Sequence, residues 1–177
     1  MPILDGRNST LLVIDMQVRL MPAIDGAAEA IANARRLLDA AAMLGVPALF
    51  TEQNPKGLGA TVPELGPDGS PVLAKMEFDA SRAPGLCERL AEGHAAVIAG
   101  VEAHVCVLQT ALGLVERGRR VFVVRDAVGS RRPESKDAAL RRMERNGVEI
   151  VTTEMVVFEW LGDANNPRFR EAVALIK

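Results

Sequence analysis

The chain has 177 residues, 49% hydrophobic and 25% charged, with 21 Lys plus Arg against 23 Asp plus Glu for a formal net charge of −2. That length suits one compact domain, 1–177, with a sizeable core, and the composition excludes a disordered or fibrous chain. The basic residues are too scattered to make a nucleic-acid face, the apolar runs are too short to span a bilayer, and "MPILDGRNST" lacks a secretory pattern, so a cytoplasmic protein is expected, with no nucleic-acid or membrane partner.

Short apolar runs alternate with longer segments of helical periodicity, the signature of βαβ units around a parallel sheet. "TLLVI" (10–14) is the first strand, and it ends on Asp15. Small and apolar residues at helical spacing predict a helix over 26–44, closed by Gly45 and Pro47. "VPALFTE" is the second strand. In the stretch that follows, 53–71, Gly and Pro recur every few residues, which predicts irregular structure.

"VLAK" reads as a short extended piece ending on Lys75, and "PGLCERLAE" as a short helix. "AAVIAGV" is apolar on both faces, as expected of a strand in the middle of a covered parallel sheet. A helix from 104 to 117 follows, then the strand "RVFVVRDA" and a helix opened by Pro133 and closed by Gly147. "VEIVT" is the sixth strand, and "NPRFREAVALIK" a terminal helix.

Such a sheet binds ligands beyond the carboxyl ends of its strands. Asp15, the run Thr51-Glu52-Gln53 and the turn "GVEAHVC" all fall there. Cys106 lies in the first turn or so of its helix, where unpaired backbone N–H groups and the helix dipole favour thiolate over thiol and can receive an oxyanion. A nucleophilic thiol also needs a base and a nearby positive group, for which Asp15 and Lys75 are candidates. Singly, each has a plainer reading: Cys106 as a small buried apolar residue, Asp15 as a turn or helix cap, Lys75 as a solvated lysine.

Together "LLVIDMQ", the lysine of "AKMEFDA" and "GVEAHVCVLQTA" resemble the isochorismatase-like hydrolases, the cysteine hydrolase family, over about 10–176. The resemblance implies a three-layer α/β/α fold with a six-stranded, mainly parallel, Rossmann-like sheet. It places the family's triad on Asp15, Lys75 and Cys106, and a non-proline cis peptide at Val101-Glu102 that turns the N–H groups of Glu102 and Cys106 toward an oxyanion. It further implies C–N bond hydrolysis of a small amide or carbamoyl compound through a thioester, and homo-oligomerisation. Gln17, Gln53, Phe78 and Glu102 are expected at the substrate pocket.

No cofactor and no metal are expected, because "TEQNPKGLGATVPE" has no histidine where nicotinamidases of the family hold a metal. His104, two residues from Cys106, points elsewhere on a helix and is expected at a pocket or interface. His94 and Cys87 read as structural, and Trp160 as a core or interface residue. The competing reading is a catalytically silent scaffold that keeps the triad. A nucleotide-binding oxidoreductase is disfavoured, since no G-x-G-x-x-G follows the first strand.

Overall fold

A computed structural model describes residues 3–67 and 69–177; Met1 and Pro2, the first residues of the 1–177 unit, and Asp68 of the Gly- and Pro-rich loop lie outside the described residues. Six strands form one sheet: β1 (Ser9–Ile14), β2 (Ala48–Gln53), β3 (Val72–Lys75), β4 (Ala95–Val101), β5 (Val121–Gly129) and β6 (Glu149–Val151). Their order is β3-β2-β1-β4-β5-β6 and every pairing is parallel. The direction of winding reverses between β1 and β4, so the crevice for a ligand opens at the carboxyl ends of these two strands.

Strand alternation sends successive side chains to opposite faces, and both faces are covered. Leu11 and Val13 of β1 enter one apolar core with α1 (Ala27–Leu44), while Leu12 and Ile14 enter the other. Two four-residue helices follow in the chain, α2 (Pro55–Leu58) and α3 (Leu86–Arg89). The second core packs α3 with α4 (Leu108–Glu116) and α5 (Pro133–Arg145). The first adds α6 (Thr153–Leu161) and α7 (Phe169–Ile176).

Punctuation residues behave as the sequence indicates. Gly45 ends α1 with φ 73° and returns its N–H to the Ala41 carbonyl, and Pro133 starts α5. Two differences matter. The helix α6 has no counterpart in the sequence reading, because Val156, Val157, Trp160 and Leu161 are all buried and Met155 and Phe158 are apolar too, which blurs any one-sided stripe. The stretch 53–71 is less irregular than its Gly and Pro content suggests. It holds α2 and a 3-10 turn at Pro63–Leu65, and it is fastened to the exit of β1 by a bridge between Gln17 and Thr61.

No helix among the described residues is long and apolar enough to cross a membrane.

Candidate active site

The carboxyl edge of the sheet is built from strained turns. Among the described residues, three non-glycine positions have positive φ: Asp15 (55°), Asn54 (38°) and Glu102 (56°), just past β1, β2 and β4. Such conformations cost of order 1–3 kcal/mol each, persist only where the surroundings enforce them, and cluster at functional sites. At Asp15 the enforcement is visible: its N–H donates to the Thr51 carbonyl at 3.1 Å, and its own carbonyl accepts from Gln17 N–H at 2.9 Å.

That turn brings the Asp15 carboxylate beneath two donors. Thr51 Oγ1 donates to Oδ1 at 2.7 Å, and Lys75 Nζ donates to Oδ2 at 2.7 Å. Lys75 stands at the end of β3, so its side chain crosses the end of β2 to reach Asp15. Its ammonium also donates to Gln53 Oε1 at 2.7 Å and to the Glu77 carbonyl at 3.2 Å, which places all three of its N–H bonds. Both side chains of the pair are fully buried. A fixed, fully hydrogen-bonded ion pair in this position cannot be a solvated surface contact.

Gln17 acts behind this pair. Its Nε2 donates to the Gln53 carbonyl and the Gly59 carbonyl, at 3.0 and 2.6 Å, and its Oε1 accepts from Gln53 N–H at 2.8 Å. Every polar atom of the side chain is thus engaged with the end of β2 and the loop that follows. Gln17 braces Gln53, which in turn holds Lys75. Glu52 pins the same loop by accepting from both the N–H and the hydroxyl of Thr61.

Cys106 is buried, and its thiol lies within the electrostatic reach of Asp15, Lys75 and Glu102. Its helix opens with a π turn, Ala103–Val107, that passes into α4. Such single π turns recur at functional sites. Dipole reasoning favours a thiolate here, and the structure reverses that expectation. Burial and then the negative charge of Asp15 push the thiol up to about 12, with Glu102 adding to the rise and Lys75 opposing it. At neutral pH this favours the thiol over the thiolate. A half-turn of helix dipole does not outweigh desolvation plus an adjacent anion.

The turn between β4 and Cys106 also differs from what the resemblance implied. No cis peptide occurs among the described residues, Val101-Glu102 included; the chain reverses instead through the left-handed conformation of Glu102. A left-handed non-glycine residue costs less than a non-proline cis bond, so the same corner is turned with less strain. The N–H groups of Val105 and Val107 both donate to the Glu102 carbonyl, which removes them as oxyanion donors.

The Glu102 side chain is buried, with Arg131 Nε 2.6 Å from its Oε1. His104 Nδ1 lies 3.0 Å from Ser130 Oγ and 3.3 Å from Glu102 Oε2, and Oε2 has no hydrogen-bond donor. His104 and Arg131 line a cleft of about 440 Å³, so His104 occupies a pocket wall as expected. Nothing in the sequence pointed to Arg131, which lies in a neighbouring loop after β5.

Phe78 is 53% exposed and lines a cleft of about 420 Å³ with Glu77, Asp79, Arg82, Gln109 and Gly113, a lining that includes none of Asp15, Lys75 and Cys106. His94 is structural, with Nδ1 3.1 Å from Thr10 Oγ1, and Cys87 directs its thiol to the Ser81 carbonyl at 3.5 Å. No group of three or more His, Cys, Asp or Glu side chains converges as metal ligands would among the described residues.

A buried Asp–Lys–Cys cluster at the reversal point of a six-stranded parallel sheet coincides with a match of the isochorismatase domain to residues 9–155. The chain belongs to the isochorismatase family. Isochorismatase domain-containing protein 2 of Danio rerio is 38% identical over 175 residues, covering 98% of this chain and 89% of that one. Among solved structures, one described as the MAR1 ribonuclease of Caenorhabditis elegans superposes with a TM-score of 0.94 at 38% identity, covering 98% of this chain and 92% of that one. YcaC of Pseudomonas aeruginosa, solved with hexane-2,5-diol and covalent acrylamide, superposes with a TM-score of 0.92 at 29% identity, covering 98% and 91%. The protein therefore has the isochorismatase-family hydrolase fold, with Asp15, Lys75 and Cys106 near the carboxyl edge of its sheet.

Proposed function

We propose that this isochorismatase-family protein is a cysteine hydrolase that cleaves a C–N bond of a small amide or carbamoyl compound. The observation that carries the reading is the fully buried Lys75–Asp15 pair, with the buried Cys106 thiol close enough to feel both charges. A thiol held near 12 needs a neighbouring base to take its proton during attack, and Asp15 is the carboxylate whose charge acts on it most strongly.

As the sulfur attacks the carbonyl carbon, the thiol proton passes to Asp15 and a C–S bond forms. The N–H groups of Glu102 and Cys106 receive the oxyanion. Collapse breaks the C–N bond, and the leaving amine takes the proton from Asp15. Water, deprotonated by the same carboxylate, then hydrolyses the thioester and returns the thiol. Lys75 holds the carboxylate in place and moderates the charge that accumulates beside it. Covalent acrylamide in the YcaC relative supports an electrophile-reactive site in this family.

The protein is further proposed to work in a reducing compartment such as the cytoplasm, which suits two free cysteines, and as a homo-oligomer. Met76 and Phe78, large apolar side chains left exposed just past the edge strand β3, suit a contact with a second copy.

The protonated resting thiol favours one competing reading, a scaffold that keeps the triad without turnover. A panel of small amides with ammonia detection separates the two, with RNA as a control because of the C. elegans relative. Wild-type protein should release ammonia from at least one amide, and Cys106→Ala should lower that rate by roughly 10³-fold or more and lose its iodoacetamide adduct. Ammonia release that survives in the variant refutes the assignment. Inert wild-type protein with an unreactive Cys106 supports the scaffold, and RNA cleavage untouched by Cys106→Ala supports a nuclease.

A further inference from the structure

We propose that Arg131 is a positioning residue for Cys106: through the buried Glu102 carboxylate it holds the left-handed turn from which the nucleophile's helix starts. The inference rests on the hydrolase reading above and adds a residue that none of its steps uses.

Glu102 needs such a hold. Its φ of 56° is a conformation that a non-glycine residue keeps only under constraint, and it caps the π turn that carries Cys106. Its carbonyl accepts from the N–H groups of Val105 and Val107, so the start of the helix moves with it. The constraint comes from the neighbouring strand. Val101 pairs with Gly129 at the ends of β4 and β5, which puts Ser130 and Arg131 beside the residues leaving β4. Ser130 is buried and its carbonyl accepts from Asp25 N–H at 3.0 Å, so the base of Arg131 is fixed. From there Arg131 Nε reaches Glu102 Oε1 at 2.6 Å.

Charge makes this contact more than a strut. Glu102 is 8% exposed, and a buried carboxylate is costly unless a cation accompanies it. Among the described residues two groups come within ion-pair distance of it, Arg131 and His104, and His104, with Nδ1 3.3 Å from Oε2, is charged only when protonated. Arg131 is the permanent counterion. Arg132, the next cation along the chain, faces Glu134 at 3.8 Å. Without Arg131 two responses are open to the carboxylate. It can swing toward water and release the left-handed turn, or stay and act unopposed on the thiol, where it already adds to the effect of burial and Asp15 against the thiolate. Either one slows attack by Cys106.

Iodoacetamide alkylation of Cys106, followed by intact mass at a fixed alkaline pH in a Cys87→Ser background, reads this without a substrate. Arg131→Gln should slow alkylation by about tenfold, the change that one pK unit makes, and Arg131→Lys, which keeps the cation, should recover most of the rate. The deciding background is Glu102→Gly, since glycine takes a positive φ without help and has no carboxylate to neutralise. There Arg131→Gln should change the rate by less than about twofold. An undiminished loss in the Glu102→Gly background, no loss in Arg131→Gln, no recovery in Arg131→Lys, or a Cys106 that stays unalkylated throughout overturns the proposal. Absent amide turnover with this pattern intact counts against the hydrolase reading alone.

Discussion

Replacing Lys75 by Met should destabilise the fold by about 3–5 kcal/mol, among the largest single-residue effects expected in this molecule. The ammonium and the Asp15 carboxylate are both fully buried at 2.7 Å, so removing one leaves the other as an uncompensated charge. Gln53 Oε1 and the Glu77 carbonyl lose their donor at the same time. Against a total stability of roughly 5–15 kcal/mol this is a large fraction. Urea denaturation reads it directly, and the double variant Asp15→Asn/Lys75→Met should be clearly less destabilised than the sum of the two single variants. A Lys75→Met loss within about 1 kcal/mol, or strict additivity, would mean that the two side chains do not depend on each other.

Gly100→Ala should be the second severe substitution. Gly100 pairs with Ile14 across β1 and β4 and adopts φ 149°, and a Cβ there would sit 2.5 Å from the Ile14 carbonyl oxygen and 2.8 Å from its nitrogen. These are backbone atoms of the residue next to Asp15, so they cannot swing away as a side-chain tip can. Strain and overpacking together place the cost at about 2–5 kcal/mol, with the ends of β1 and β4 forced apart. Gly45→Ala is the matched control, because its φ is also positive but a Cβ there meets open space. It should cost only about 1 kcal/mol. The two should also differ in chemistry: Gly100→Ala moves Asp15 relative to Cys106 and should reduce iodoacetamide-sensitive amide turnover, whereas Gly45→Ala should leave it intact.

The strand ends were readable because each obeys a local rule. β1, β2 and β4 are apolar runs closed by polar residues, and the rule that ligands sit beyond carboxyl ends then selects Asp15, Gln53 and the turn at Glu102 without any knowledge of contacts. The resemblance added Lys75, which its position alone would leave among ordinary solvated lysines. What local pattern does not carry is the third dimension. Dipole reasoning about Cys106 sees its own helix, whereas its ionisation is set first by burial and then by a carboxylate 91 positions away in the chain.

Gly100 reads in sequence as one small residue in an apolar run, and only the approach of Ile14 explains it. Arg131 beside Glu102 was missed for the same reason, its partner coming from elsewhere in the fold, whereas α6 was missed because its apolar residues do not form a one-sided stripe.

In the proposed mechanism the Cys106 thiol rests protonated and Asp15 serves as its base, and a thiolate titration tests this most directly. The chain has no tyrosine, so the rise in absorbance near 240 nm on forming a thiolate is not overlaid by phenolate. In a Cys87→Ser background one thiol remains. Between about pH 6 and about pH 10 this protein should show essentially no thiolate signal, because burial and Asp15 hold Cys106 near 12. Adding Asp15→Asn removes the neighbouring anion while Lys75 stays. The thiolate should then appear within that window, while amide turnover falls because the base is gone. A thiolate already present at neutral pH when Asp15 is intact, or titrations that coincide with and without Asp15, would contradict the account.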